Sequence, residues 1–145
     1  MKQKTILVMS LACMLMAGTG CSDVHVLPAE LPAPVQSFVT QQFPGQNITF
    51  ADKDWEWFGY AYDVVLADGT QLSFDTDNQW DKVECRMSAV PATLVPAPIA
   101  AHLVANFPGI TIVKIEKERY GYDIELANQL ELKYNHQGAL MEMDD

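Results

Sequence analysis

The sequence repeats itself, and this duplication constrains the fold more than any other feature. The segment LPAPVQSFVTQQFPG, residues 31–45, matches VPAPIAAHLVANFPG, residues 95–109, at an offset of 64. Further on, YAYDVVLADGTQLSFD from Tyr60 matches YGYDIELANQLELKYN from Tyr120 at an offset of 60. The offsets differ by four, so the first copy carries four extra residues, which fall within residues 55–59. A duplicated chain of this kind predicts two units of one architecture.

Each copy predicts a helix followed by antiparallel strands. Val35, Val39 and Phe43 stand four residues apart and form an apolar helical stripe, which the second copy repeats. Proline suits the first turn of each helix, and Phe-Pro-Gly ends it. Alternating apolar and polar residues predict half-buried strands, and the last strand of the second copy should bury Met141 and Met143.

The predicted fold class is therefore α+β, with two tandem repeats that each pack one helix on a roughly four-stranded antiparallel sheet. We place the first repeat at residues 27–85 and the second at residues 90–145. The strands are predicted at residues 48–51, 60–66, 72–74, 80–85, 110–115, 120–126, 130–134 and 140–143.

The N-terminus has the pattern of an export signal over residues 1–20, with two lysines, a short apolar run and small residues. Cys21 follows these small residues, as in bacterial lipoprotein signals. We expect lipidation at Cys21, which then becomes the new N-terminus; ordinary cleavage near Gly20 or Asp23 is the alternative. The sequence thus predicts an exported protein of the periplasm or cell envelope, with membrane contact only through a lipid at Cys21.

Charge and cysteine content narrow the possible partners. The chain has 9 Lys+Arg against 19 Asp+Glu, a formal net charge of −10, which argues against nucleic acid and anionic head groups as ligands. If Cys21 carries lipid, Cys85 has no partner within the chain and is predicted to be a small buried hydrophobe. If it does not, a Cys21–Cys85 disulfide is possible in an oxidising compartment.

The histidines and acids show no catalytic or metal-binding pattern. His25, His102 and His136 are scattered, and His102 occupies the position of Phe38 in the repeat, which favours a structural role. The stretch DTDN, residues 75–78, superficially resembles a calcium loop. It lacks the glycine and the later glutamate of such loops, so a polar turn is the better interpretation.

Paired carboxylates are also explained by duplication. Asp63 and Asp123 recur at one strand position and face solvent by strand parity, which disfavours an acid–base pair. Ser-His-Asp signatures and glycine-rich phosphate loops are absent from the sequence. We therefore expect no enzyme activity, no cofactor and no metal site.

The repeats resemble a known family. The tandem helix-and-sheet pattern, the Phe-Pro-Gly helix ends and the Tyr-x-Tyr-Asp strands at residues 60–63 and 120–123 are similar to PepSY-like domains of exported proteins from Bacteroides-type bacteria. These domains are grouped by fold with the beta-lactamase-inhibitor protein. The resemblance covers residues 27–145 and implies the α+β architecture. An inhibitor-like role is implied by fold analogy only, and no functional residue carries over.

The aromatic stretch DWEWFGYAYD, residues 54–63, is the best candidate for recognition. Tyr60 recurs in the second copy and is predicted to be framework facing the helix, as is Tyr62; strand parity places Phe58 with them. Trp55 and Trp57 fall in or beside the four-residue insertion, so we expect them at a hairpin tip. There they either pack across to the other unit or contact a partner.

These observations predict a non-catalytic exported binding module. It should engage an unidentified protein or peptide through a sheet face or through Trp55, Trp57 and Phe58. The alternative is a small-ligand binder of the cell envelope, with an aromatic-lined pocket between the two units.

Overall fold

Two helices form where the apolar stripes predict them. The computed structural model describes residues 23–145, with α1 at Ala33–Gln42 and α2 at Ala97–Asn106. Both helices have proline in their first turn, and both end at the phenylalanine of Phe-Pro-Gly. The glycine of that motif has a positive φ, +82° at Gly45 and +76° at Gly109, a conformation that glycine adopts without steric cost. The sequence therefore starts and stops both helices locally.

Nine strands follow one another in a single antiparallel sheet, in chain order. They are β1 (Val24–His25), β2 (Ile48–Glu56), β3 (Gly59–Leu66), β4 (Gln71–Phe74), β5 (Trp80–Glu84), β6 (Ile112–Glu118), β7 (Gly121–Leu126), β8 (Glu131–Asn135) and β9 (Leu140–Asp144). Single 3₁₀ turns at Pro28–Glu30 and Ala92–Leu94 precede the helices. The α+β class is confirmed, and β5 pairs directly with β6, so one sheet runs through both copies.

The core lies on one face of this sheet. Side chains that are directly opposite each other on neighbouring strands point to the same face. One such row crosses the sheet from β2 to β8 and consists of Ala51, Val64, Leu72, Val83, Ile115, Ile124 and Leu132. Every member is buried, and all belong to one hydrophobic cluster that includes Val35 and Val39 of α1 and Ile99 and Leu103 of α2. Both helices therefore cover the same face.

The opposite face of the sheet, here called the open face, is polar. Its central row from β2 to β9 is Asp52, Asp63, Ser73, Lys82, Glu116, Asp123, Lys133 and Glu142. No helix among residues 23–145 packs on this face, because the apolar stripes of α1 and α2 are both buried on the other side. The sheet is therefore apolar on one side and charged on the other.

The prediction that Met141 and Met143 are core residues is wrong. Their side chains are 59% and 56% exposed. β9 is the edge strand of the described sheet, so it has a neighbour only on the β8 side. Strand parity gave the correct face for Met143, which pairs with the buried Leu132, but burial also needs a covering layer, and the buried row ends at Leu132.

Several strand boundaries also differ from the prediction. The strand predicted at residues 110–115 is found as β6 at Ile112–Glu118. β2 continues from Ala51 to Glu56 because each of these residues pairs with β3, and this pairing outweighs the poor strand propensity of Asp52–Asp54. Tyr120 was expected in a strand but lies in the turn before β7. No helix of residues 23–145 is long and apolar enough to cross a membrane. The predicted signal and Cys21 lie outside the described residues.

Candidate functional site

The inserted residues lengthen the β2–β3 hairpin into an arm, defined here as residues 54–61. Lys53 pairs with Tyr62 in this hairpin, and Lys117 pairs with Tyr122 at the corresponding place in the β6–β7 hairpin. The first pair encloses four more residues than the second. β4 reaches only as far as Phe74, opposite Tyr62, and β1 only as far as Lys53. Within residues 23–145, the arm strands therefore pair only with each other.

Trp57 and Phe58 form the two-residue turn at the end of the arm. They connect Glu56 to Gly59 and are 90% and 94% exposed. The prediction of a hairpin tip is confirmed for Trp57. The alternative that Trp57 packs against the other unit is wrong, because its side chain is exposed to solvent among the described residues. The strand position predicted for Phe58 is also wrong, because β3 begins one residue later, at Gly59.

Contacts between side chains brace the arm just below its tip. The rings of Trp55 and Tyr60 meet edge to face with centroids 5.0 Å apart, and the Lys53 Nζ lies 4.6 Å from the Tyr60 ring centroid. Such contacts contribute about 0.5–1.5 kcal/mol each. Tyr60 is 39% exposed and belongs to this brace, whereas Tyr62 packs against the core as predicted. The brace joins the two strands of the arm through their side chains as well as through their backbone pairing.

The acidic stretch after β4 is a hydrogen-bonded turn. The Asp75 Oδ1 accepts hydrogen bonds from the backbone N–H groups of Asp77 and Gln79, both at 2.9 Å. Asn135 makes the equivalent two bonds in the second copy, at 3.0 and 2.9 Å. A neutral amide serves equally well there, so the role is that of a turn, as predicted. Among residues 23–145, no cluster of three histidine, cysteine or acidic residues could hold a metal ion.

The recurring aspartates are too far apart to act together. Asp63 lies on β3 and Asp123 on β7, so four strand spacings of about 4.8 Å separate them. Asp63 accepts a hydrogen bond from the Ser73 hydroxyl at 2.5 Å, and Asp123 accepts one from the Tyr120 hydroxyl. Burial, together with that bond to Asp123, raises the pKa of Tyr120. Both carboxylates therefore hold neighbouring side chains on the open face.

His102 has a structural role, as its position in the repeat predicts. Its Nδ1 lies 2.9 Å from the hydroxyl oxygen of Tyr134, which is fully buried. Burial raises the pKa of Tyr134 to about 12. The two rings meet nearly edge to face at 5.5 Å, and Phe38 meets Phe74 in the same way at 5.3 Å. The other histidines pair with Asp52 and with the Arg119 carbonyl oxygen.

Cys85 is a free, buried thiol, as predicted, with 2% of its surface exposed. Burial raises the pKa of this thiol, which disfavours the reactive thiolate.

The two clearest depressions of the described surface have volumes of about 410 and 40 Å³. They are lined by polar and aliphatic residues, including Glu84, Arg86 and Lys133, and neither has an aromatic wall. Neither depression has the aromatic lining that the small-ligand hypothesis requires.

A protein-family model described as "Putative beta-lactamase-inhibitor-like, PepSY-like" matches residues 60–142, more than half of the chain. The chain belongs to this family. The resemblance inferred from the repeats is thereby confirmed. No curated protein matches this PepSY-like chain.

Three solved structures are similar to the PepSY-like chain over most of its length. One is a putative periplasmic protein of the DUF2874 family from Bacteroides vulgatus, with 31% identity, a TM-score of 0.81, and coverage of 88% of this chain and 100% of that chain. A second B. vulgatus protein, described as a putative periplasmic protein of unknown function, has 30% identity, a TM-score of 0.79, and coverage of 85% and 99%. A putative calcium-regulated periplasmic protein from Bacteroides thetaiotaomicron has 27% identity, a TM-score of 0.79, and coverage of 85% and 97%.

Proposed function

We propose that this PepSY-like protein is a non-catalytic binding module that engages a protein or peptide through the tip of its arm. The exposure of Trp57 and Phe58, 90% and 94%, carries the proposal. Large aromatic side chains are costly in water and are enriched among the residues that dominate binding energy. The edge-to-face contact of Trp55 with Tyr60 supports the tip from below, and a preorganised tip loses less entropy on binding. Trp55 is 57% exposed and borders the same surface.

The non-catalytic character rests on what the candidate groups do in the fold. Asp63 and Asp123 accept hydrogen bonds from neighbouring hydroxyl groups, and His102 bonds to the buried Tyr134. Cys85 is buried with a raised pKa. Each of these groups has a structural task, and they lie on different elements of the fold.

We also propose that the chain consists of two repeats, residues 27–85 and 90–145, joined edge to edge through β5 and β6. Equivalent turns support this. Asp68 accepts a hydrogen bond from the Thr70 N–H at 2.9 Å, and Asn128 accepts one from the Leu130 N–H at 3.3 Å.

We place the protein in the periplasm, where the names of its solved relatives place them. The signal pattern of residues 1–20 supports export, and Cys21 would anchor the protein through lipid. Replacing Cys21 with alanine should then move the protein from the membrane fraction to the soluble fraction. Unchanged membrane association would contradict the anchor.

A shortened arm tests the binding function. Deletion of residues 55–58 gives the β2–β3 hairpin the length of the β6–β7 hairpin, and we expect the fold to persist because the deleted side chains lie outside the core. A photo-crosslinking side chain at position 57 should form a covalent adduct with one partner in intact cells. The same group at Met87, which is 82% exposed, is the control for random collisions.

The expected result is an adduct specific to position 57. The partner that it identifies should then bind the purified wild-type protein and not the shortened variant. Equal adducts from positions 57 and 87 would contradict the proposal, as would wild-type affinity in the shortened variant. Loss of the fold on shortening would show that the arm is structural.

A further inference from the structure

Acidic residues lie beside the arm and continue across the open face. Asp54 and Glu56 lie on the open-face side of the arm, because they continue the strand parity of Asp52. Asp63 stands opposite Asp52 in the central row, and acids continue along that row to Glu142. The tip of the arm is therefore apolar and exposed, and acids of the open-face side follow directly behind it.

The lysines of the open face already have acidic neighbours. Lys82 lies 3.8 Å from Glu84, Lys114 lies 3.0 Å from Glu116, and Lys133 lies 2.6 Å from Glu142. Lys53 and Lys117 lie on the helix side of the sheet, over the rings of Tyr60 and Trp80. Acids outnumber lysines in the central row, so a net negative charge remains on the open face.

The carboxyl group of Asp81 lies close to several of these acidic residues. Its Oδ1 is buried and accepts no hydrogen bond from another described residue. Burial, and after it the nearby carboxylates of Asp75, Asp63 and Glu116, raise the pKa of Asp81 to about 6. A positive group brought to this part of the open face would relieve the repulsion.

We propose that the partner of the arm presents an apolar recess bordered by lysine or arginine side chains. Trp57 and Phe58 enter the recess, and the acids of the arm and the open face meet its basic border. The apolar contact would supply most of the affinity, and the charges would orient the partner and speed its association. This inference rests on the proposed function, to which it adds the chemistry of the partner.

A membrane is the other surface that exposed aromatic residues can enter. Anionic head groups attract basic segments. They would repel Asp54 and Glu56, which approach the membrane together with the tip. The charge of the arm therefore favours a basic protein surface over an anionic bilayer.

Three labelled ten-residue peptides test the partner chemistry against the full exported protein. One alternates lysine with leucine, one alternates lysine with serine, and one alternates glutamate with leucine. Fluorescence anisotropy should show tightest binding for the lysine–leucine peptide. We expect its Kd to rise about tenfold between low and moderate salt, because salt screens the charge contacts.

Matched charge variants locate the basic contact. Asp54→Asn, Glu56→Gln and Asp63→Asn together should weaken binding of the lysine–leucine peptide about tenfold. The control combines Glu30→Gln, Asp68→Asn and Asp77→Asn, which changes the net charge equally at sites outside the open face. We expect a change of less than about twofold for this control, because distant exposed charges are screened.

A tip variant with Trp57→Ser and Phe58→Ser separates the two proposals. Suppose that it abolishes binding while the charge variant and its control bind the lysine–leucine peptide equally well. The basic border of the partner is then contradicted, and the proposal that the arm binds a partner is retained. If the tip variant binds the lysine–leucine peptide like the wild type, both fall. Tighter binding to phosphatidylglycerol vesicles than to the lysine–leucine peptide would overturn the basic recess in favour of a lipid surface.

Discussion

At the residue scale, the two copies fill one packing position with different chemistry. Phe38 and Phe74 pack as an apolar pair in the first copy, and His102 and Tyr134 take their places in the second with a hydrogen bond added. The repeat alignment predicts that His102 is structural. It does not predict its partner, because Tyr134 lies far along the chain and meets His102 only once α2 is packed on the sheet.

The cost of this buried polar pair can be measured. Replacing Tyr134 with phenylalanine should lower the free energy of unfolding by about 1–2 kcal/mol, because His102 loses its partner. Adding His102→Phe recreates the pair of the first copy and should recover most of the loss. A double-mutant cycle by urea denaturation measures the coupling. A double variant less stable than Tyr134→Phe alone would contradict this account.

Asp81 makes stability depend on pH in an unusual direction for a carboxylate. Its pKa rises from 3.8 to about 6 on folding, so the folded state binds the proton more tightly than the unfolded state. The contribution of Asp81 to the free energy of unfolding therefore falls as pH rises through this interval. The side chain is partly exposed, which limits the loss through solvent screening.

We expect Asp81→Asn to be more stable than the wild type at neutral pH by about 1 kcal/mol, and to remove this part of the pH dependence. Urea denaturation between about pH 4 and 7.5 measures both effects. Asp77→Asn, at an exposed turn position, is the control and should leave the profile unchanged. If the free energy of unfolding of Asp81→Asn depended on pH as that of the wild type does, the carboxylate would already be neutralised by its surroundings.

At the element scale, the arm shows what a comparison of copies can reveal. The four-residue insertion places Trp57 at a hairpin tip, because both flanking strands recur without it. The exposure of the tip was not predictable in this way. The sequence also allows the tip to fold back onto the second copy, because it does not give the position of that copy. With β6 paired to β5, the second copy continues away from β2 and β3 in the sheet.

The short β6–β7 hairpin depends on a glycine where the arm does not. Gly121 has φ +151°, and a Cβ there would lie 2.1 Å from the Tyr134 carbonyl oxygen. At Gly59, which closes the turn of the arm as Gly121 closes the β6–β7 turn, a Cβ would lie 3.2 Å from the Thr76 side chain. The second hairpin is therefore closely packed against the backbone of β8, and the arm is not similarly confined.

We expect Gly121→Ala to destabilise the fold by more than about 2 kcal/mol, through backbone strain and a clash that no side-chain rotation relieves. Gly59→Ala is the comparison variant and should cost less than about 1 kcal/mol, because a contact of 3.2 Å needs a shift of only a few tenths of an ångström. Thermal unfolding compares the two. Equal losses would show that the hairpins are equally confined.

At the scale of the whole molecule, the pairing of β5 with β6 places both copies of the duplicated sequence in one sheet. Periodicity predicted both helices and nearly every strand, because those signals are local. Periodicity could not predict the pairing of β5 with β6. A strand at the edge of a sheet and a strand with two neighbours show the same alternation of apolar and polar residues. Exposure at β9 was missed for a related reason: Met143 has the parity of a core residue, but the sheet ends at its strand.

A continuous core predicts cooperative unfolding. Ile115 is fully buried beside Val83 across the β5–β6 pairing, so Ile115→Ala should cost about 2–5 kcal/mol and shift a single transition. Val104→Ala, at an exposed position of α2, should cost far less. Calorimetry tests whether one transition accounts for the whole heat. Two transitions, with only one moved by Ile115→Ala, would show that the repeats unfold independently.

The order of the strands also bears on how the protein forms. Every pairing in the sheet joins strands that are consecutive in the chain, so the search for distant partners that slows many β-proteins is largely avoided. Only the β1–β2 and β5–β6 pairings close across a helix. The sheet can grow by one strand at a time. At each stage the newest strand then presents the growing edge, and the following strand covers it.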